Sequence, residues 1–198
     1  YLIFFSNYFE IKDIVIANKD FSNEVFAEKI KKSITNTLGK NILFVDTKEI
    51  SNKIINFFPE LETVSIGKNY PNTLSVEFSQ YPLVANVINE SSNIRKNYII
   101  NSVGYTIKEN LENPSLPYIK IKSDEPVNIE TPLIEKTKLD YILNTIVYFE
   151  DKFGMDIKEV EYKKIPREIH LLTERDFYVW LDTEREAEEQ LKKLKKAL

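Results

Sequence analysis

Apolar residues change their spacing from segment to segment along this chain, and each spacing predicts an element. In "FEIKDIVIAN" they alternate through Phe9 and Ile11 and resume one residue out of phase at Ile14 and Ile16. Alternation is the period of a strand, and the slip predicts a bulge near Lys12 and Asp13. After Ser22, a residue type suited to capping a helix, Phe26, Ile30, Ile34 and Leu38 recur every four positions up to Gly39. This predicts a helix with one buried face, ended by glycine. Asp46 with Glu49 has the form of a capping box, opening a helix that carries Ile50, Ile54, Phe57 and Phe58 before Pro59. In "FFPELETVSIGKNYPNTLSVEFSQYPLVA" the period returns to strands, with Val64 and Ile66 on one side and Leu74, Val76 and Phe78 on one side of the next. Tyr70-Pro71-Asn72-Thr73 between them predicts a type I turn with proline second, and so an antiparallel hairpin.

The order strand, helix, helix, strand, strand over Phe9 to Gln80 predicts a three-stranded sheet with one face covered by two amphipathic helices. Pro82 opens a second region. There "LVANVI", "PYIKIK" and a hairpin around Ser102-Val103-Gly104 in "YIINSVGYTI" read as strands, and "SDEPVNIETP" reads as loop. Thr131 followed by Pro132 predicts the start of a helix whose apolar face holds Leu139, Ile142, Leu143, Ile146, Val147 and Phe149, ending at Gly154. Three more strands follow in "DIKEVEY", "EIHLL" and "FYVWL". A last helix, "DTEREAEEQLKKLKKAL", places acids early and lysines late, with Ala187, Leu191, Leu194 and Leu198 inward. The fold class is α+β, a β-α-α-β-β module followed by a mixed or antiparallel β domain with two helices.

Composition narrows the chemistry. The 198 residues carry a net charge of −4 and no cysteine. The charge gives no case for nucleic acid, and the missing thiols remove disulfides, thiolate metal sites and a cysteine nucleophile. His170 is the only histidine, and four scattered glycines make no phosphate-cradling loop. The acids of "SDE" and "TEREAEE" have no fixed geometry and read as solvated faces. No residue is assigned to catalysis, to a cofactor or to a metal, and the default partner is protein. In "DFYVWLD", Phe177, Val179 and Leu181 face one way and Tyr178 and Trp180 the other, a protein-binding patch unless a helix or loop covers it. Lysines 192, 193, 195 and 196 form a basic helix end; such a run is ordinarily a solvated face, and it also suits an acidic lipid or protein surface. The apolar start "YLIFF" is far shorter than the roughly 20 residues of a membrane span. It reads equally as the end of something apolar or as a buried first strand.

Taken in order, "FEIKDIVIAN", "GKNILFVD", "PELETVSIGKNYPNTLSVEFSQYPLVA" and "YIINSVGYT" resemble the FtsQ/DivIB family of bacterial cell-division proteins. "LPYIKI", the 132–153 helix and "VWLDTEREAEEQLKKL" continue the likeness. Three positions depart from the family pattern: Ala17-Asn18 replaces the usual Gly-Asn, Ser79-Gln80 the usual Glu-Arg, and Asn101 an aspartate. The resemblance implies residues 1–7 as the end of a membrane anchor or its connector, 8–81 as a POTRA (polypeptide-transport-associated) domain, and 82–198 as the family's β domain lacking its final strand. It further implies a non-enzymatic scaffold of the division complex, single-pass in the bacterial inner membrane through an N-terminal anchor. Its bulk would lie outside the cytoplasm at the septum. Its partners would be FtsB/DivIC-like and FtsL-like division proteins, and other components of the division complex, met at the far end of the β domain through the last helix and a final strand after it, with no nucleic acid and no cofactor. With that contact, Glu188, Lys192 and Lys195 join Tyr178 and Trp180 as the partner-binding set, and strand addition to an exposed sheet edge is the expected mode. The other reading is a POTRA-type periplasmic module that handles polypeptide substrates in secretion or outer-membrane assembly.

Overall fold

The computed structural model describes residues 7–18, 24–90, 95–123, 127 and 131–197, and the chain divides into two units, Tyr1–Tyr81 and Pro82–Leu198. The stretch "YLIFF", Ser22, most of "SDEPVNIETP" and Leu198 lie outside the described residues.

In the first unit, strand β1 (Asp13–Asn18) runs parallel to β3 (Thr73–Gln80), which pairs antiparallel with β2 (Leu61–Asn69), giving the sheet order β1-β3-β2. Helices α1 (Glu24–Ser33) and α2 (Thr47–Phe57) stand between β1 and β2 in the chain. Phe26, Ile30, Ile34 and Ile54 from this helical region meet Leu74, Val76 and Phe78 from β3 in one core. Phe26 sits at its centre, edge-on to Phe58 at 5.3 Å and to Phe78 at 5.7 Å, the arrangement that aligns ring edges with ring faces. Asp46 caps α2, its Oδ1 accepting from the Lys48 and Glu49 amides at 2.8 and 3.2 Å.

Local chemistry departs from the sequence pattern at four places in this unit. The first strand does not run through from Phe9 with a bulge. Asn7–Phe9 is a 3-10 turn, and Ile11 exchanges hydrogen bonds with Gly39 and Lys40 before β1 joins β3 at Asp13. The phase slip is this change of partner, and it keeps both Ile11 and Ile14 buried. Helix α1 also ends a turn early, and Leu38 is extended and exposed. The hydroxyls of Ser33, Thr35 and Thr37 each donate to a carbonyl three residues back, and such bonds compete with helix continuation. Phe57 points to solvent while Phe58, the C-cap, packs inward. The Tyr70–Pro71 bond is cis, so proline does not take the second position of a type I turn.

In the second unit, β4 (Leu83–Glu90), β5 (Arg95–Asn101) and β6 (Thr106–Glu109) form an antiparallel meander. β7 (Tyr118–Ile121) adds parallel to the other side of β4, and β8 (Ile157–Lys163) adds parallel to β7. β9 (Glu168–Thr173) and β10 (Tyr178–Asp182) complete a seven-stranded sheet of order β10-β9-β8-β7-β4-β5-β6. Two neighbouring parallel strands need a crossover, and α3 (Lys136–Phe153) supplies it between β7 and β8. Its Leu139, Ile142, Ile146 and Phe149 pack on Val87, Ile119, Val160 and Leu171 of the sheet. Leu191 of α4 (Ala187–Ala197) joins the same core.

Helix α3 does not begin at Thr131-Pro132. Leu133 donates its amide to the Gly104 carbonyl at 2.8 Å and Ile134 is buried, so these residues clamp the β5–β6 turn and the helix opens at Lys136. Val147, expected inward, is exposed. Asn101 stands where the family pattern has aspartate, and its Oδ1 accepts from the Val103 and Tyr105 amides as a carboxylate oxygen would. Its buried Nδ2 has no partner.

Two glycines test this packing. Both have positive φ, +62° at Gly154 and +87° at Gly104, where a side chain costs about 1–2 kcal/mol. A Cβ at Gly154 meets nothing within 4 Å, whereas at Gly104 it would lie 1.9 Å from the Ile134 carbonyl oxygen. Gly154→Ala is expected to lose about 1–2 kcal/mol in urea unfolding, and Gly104→Ala about 1–3 kcal/mol more, since the clamp must shift.

Candidate functional site

β10 occupies one end of the sheet order, and among the described residues it pairs only with β9. Its side chains alternate strictly. Val179 and Leu181 are 6% and 3% exposed in the core, while Tyr178 and Trp180 on the other face are 57% and 68% exposed. Neither α4 nor any other described segment covers the two aromatics. Trp180 lies cross-strand from His170, their rings stacked 4.5 Å apart at 10°. His170 is itself buried, its Nε2 2.9 Å from Glu168 Oε2. The chain's one histidine thus supports a surface tryptophan from below.

The backbone of β10 alternates as its side chains do. Phe177 and Thr183, which flank β10, bond across to Thr173 of β9 and to Arg167 just before it, through Thr173 N–H to Phe177 O at 3.1 Å and Thr183 N–H to Arg167 O at 2.8 Å. In an antiparallel ladder every second residue turns its N–H and C=O toward the partner and the others turn them away. Tyr178, Trp180 and Asp182 therefore direct theirs to the open edge. At Asp182 that edge is closed by the chain itself. Its N–H donates to Gln190 Oε1 at 2.9 Å, and its carbonyl accepts from Gln190 Nε2 at 2.9 Å and from Tyr141 Oη at 3.0 Å. Burial pushes the Tyr141 phenol pKa up, against the opposing effect of the Gln190 hydrogen bond.

The remaining partner-set residues lie on α4. Glu188 and Lys192 pair with each other one turn apart at 3.4 Å, both largely exposed. Lys195 Nζ donates to the Lys152 carbonyl at 3.0 Å and lies 5.9 Å from the Phe153 ring centre, tying α4 to the end of α3. Lys192, Lys193, Lys195 and Lys196 are all exposed. Tyr178 and Trp180 are thus brought together on one strand, and Lys195 is engaged within its own fold. Gln190 and Tyr141 were not singled out from the sequence. The available signal was an uncharged amide beside the apolar stripe of a helix otherwise lined with charges.

Residues 9–81 match the model of the POTRA domain, FtsQ-type. The first unit is an FtsQ-type POTRA domain. The match supports an FtsQ/DivIB-like protein, and the α+β architecture of a small sheet with helices followed by a larger mixed sheet fits a POTRA domain plus β domain. No curated protein matches the chain. An FtsQ-type POTRA domain points to a division-associated scaffold, from a family that is generally non-enzymatic and works through protein–protein contacts. Among the described residues of the POTRA domain and the second unit, no cluster of acids and histidine is arranged to hold a metal. No described helix is long and apolar enough to cross a membrane.

Beyond Asp182 the chain turns back under an ion pair. Lys138 Nζ lies 2.5 Å from Glu184 Oε1 and donates to the Thr183 carbonyl at 3.3 Å. The hydrogen bond from Lys138 lowers the Glu184 pKa below its ordinary 4.5. A carboxylate with a lowered folded-state pKa contributes its stability above the ordinary value and loses it as pH falls through the folded value. Lys138→Met is therefore expected to flatten the loss of stability below pH 4.5. Urea midpoints compared across that range check it, and the difference shrinks at high salt because the pair is exposed.

Proposed function

We propose that this protein is a non-enzymatic scaffold of the bacterial division complex, whose second unit is the family's β domain and takes up a partner at the β10 edge. The observation that carries the reading is the exposed Tyr178–Trp180 pair on a strand that, among the described residues, pairs on one side only. An open edge offers a ladder of N–H and C=O groups to an extended segment, while side chains beside it select the sequence. Trp and Tyr dominate the binding energy of protein interfaces because they combine large apolar area with a polar tip. The rigid seat of Trp180 on His170 reduces the ordering that binding has to supply. On α4, the exposed Glu188–Lys192 pair is the polar part of the proposed contact, and Lys195, held by the Lys152 carbonyl, borders it.

The FtsQ-type POTRA domain supports the identity of the partner as an FtsB/DivIC-like or FtsL-like protein. It supports a site of action at the division septum, with the bulk of the chain outside the cytoplasm and a single-pass anchor in the inner membrane. Pull-down of the native-length protein from membranes of its own cell tests this. The small division proteins are expected to be recovered, and Tyr178→Ala with Trp180→Ala is expected to cut that recovery at least about tenfold, as loss of a hot spot of about 2 kcal/mol would. Recovery of unfolded secreted chains or barrel precursors in their place would reject the division reading. Undiminished recovery in the double variant would move the contact off β10.

A further inference from the structure

We infer that the end of the POTRA domain at which Asn7 stands is a lipid-facing surface, suited to rest on a bilayer that carries anionic headgroups. Hydrogen bonds gather separate segments of the chain there. Ile11 bonds to Gly39 and Lys40, Phe9 to Ile42, the Lys12 amide to the Asn72 carbonyl, and Lys68 Nζ to the Leu43 carbonyl at 3.2 Å. Just beyond these bonds, Asp13 and Thr73 begin β1 and β3 side by side, with Asn69 closing β2 opposite Thr73. The gathered segments carry Tyr8, Leu38, Phe44 and Tyr70, which are 62%, 43%, 70% and 60% exposed. The domain's other exposed large apolar side chains, among the described residues, are Val15 within β1 and Phe57 at the end of α2. Exposed apolar side chains grouped in this way mark a contact surface.

The charge at this end decides what it contacts. Lys12 and Lys40 are exposed, and among the described residues neither has a carboxylate partner; Lys68 donates to a carbonyl. Of the acids nearby, Asp13 is paired with Lys31 at 3.6 Å and Asp46 is turned to the α2 amides, leaving Glu10. Aromatic rings interleaved with lysines are the composition of the boundary between water and lipid, where the rings enter the headgroup layer and the ammonium groups meet phosphate. Protein interfaces are instead depleted of lysine. The apolar run "YLIFF" is joined to the domain at the same end, through Ser6 and Asn7. Apolar burial and attraction to anionic lipid are the two signals that stable interfacial binding takes. This surface is separate from the β10 contact, and the inference stands whether or not the partner reading holds.

The chain has no cysteine, so a single introduced one can carry an environment-sensitive fluorophore. Asn69→Cys sets it beside Tyr70, and Glu62→Cys near the other end of the same strand. The labelled 198-residue chain is mixed with vesicles of phosphatidylcholine, alone or with an equal amount of phosphatidylglycerol, each doped with a nitroxide-headgroup lipid. Binding to the anionic vesicles is expected to be at least about tenfold stronger at low salt, with the preference lost at high salt and the label quenched at position 69 but not at 62. Lys12→Gln with Lys40→Gln is expected to remove the preference, and Phe44→Ser with Tyr70→Ser to weaken binding to both vesicles. Both pairs leave "YLIFF" and the α4 lysines in place. A bound chain whose label at position 69 stays unquenched, equal quenching at the two positions, or unchanged binding by both variant pairs would put the contact elsewhere and overturn the inference. Absence of binding to either vesicle would overturn it too, and leave this end to a protein partner.

Discussion

The arrangement of the second unit follows from one constraint, that β7 runs parallel to both of its neighbours, β4 and β8. Parallel neighbours cannot be joined by a tight turn. The chain must leave the sheet after Ile121 and return at Ile157, and α3 fills that excursion with a row of apolar side chains laid on one face. One face of β8 to β10 is thereby committed to the core. The other face is left to Glu161, His170 and Trp180, which lie in register across three strands. The position of β10 at the rim and the direction of its aromatics both descend from that crossover. The clamp of Leu133 and Ile134 on the Gly104 turn fixes where α3 starts, and so how it meets the sheet.

Much of this was legible because burial and period coincide. "TLSVEF" alternates in sequence, and Leu74, Val76 and Phe78 alternate into the core. "FYVWL" separates Val179 and Leu181 from Tyr178 and Trp180 in the same way. Where reading failed, a hydrogen bond outweighed the pattern. Leu38 continues the spacing of Ile30 and Ile34, yet three hydroxyls bonding backward loosen the helix before it. Pro132 follows a good capping residue, yet the neighbouring Leu133 amide is needed by the Gly104 carbonyl across the fold. Such partners lie far apart in sequence and leave no local spacing to detect.

The candidate site divides along the same line. The aromatic pair is visible in sequence because a strand shows its two faces to any reader of alternate residues. Its end is invisible, because Gln190 reaches back eight residues to Asp182 from another element and Tyr141 reaches it from a third. The stacking of His170 under Trp180 is equally invisible, because it depends on the β9–β10 register, which the short turn between Thr173 and Phe177 sets.

The two rims of the large sheet are protected unequally, and the inequality bears on function. Open strand edges invite unwanted pairing, and folds blunt them by shortening the strand or placing charges on it. β6, at one rim, has both devices, being four residues long and ending in the exposed Lys108 and Glu109, the latter paired with Lys96 at 2.9 Å. β10 has no charged residue from Phe177 to Leu181 and shows two large aromatics there. Its charge comes only at Asp182, the residue whose edge groups Gln190 already occupies. Among the described residues, then, one rim and the last position of the other are closed by charge, shortness or a side-chain amide, and the uncharged aromatic stretch of β10 between them is not.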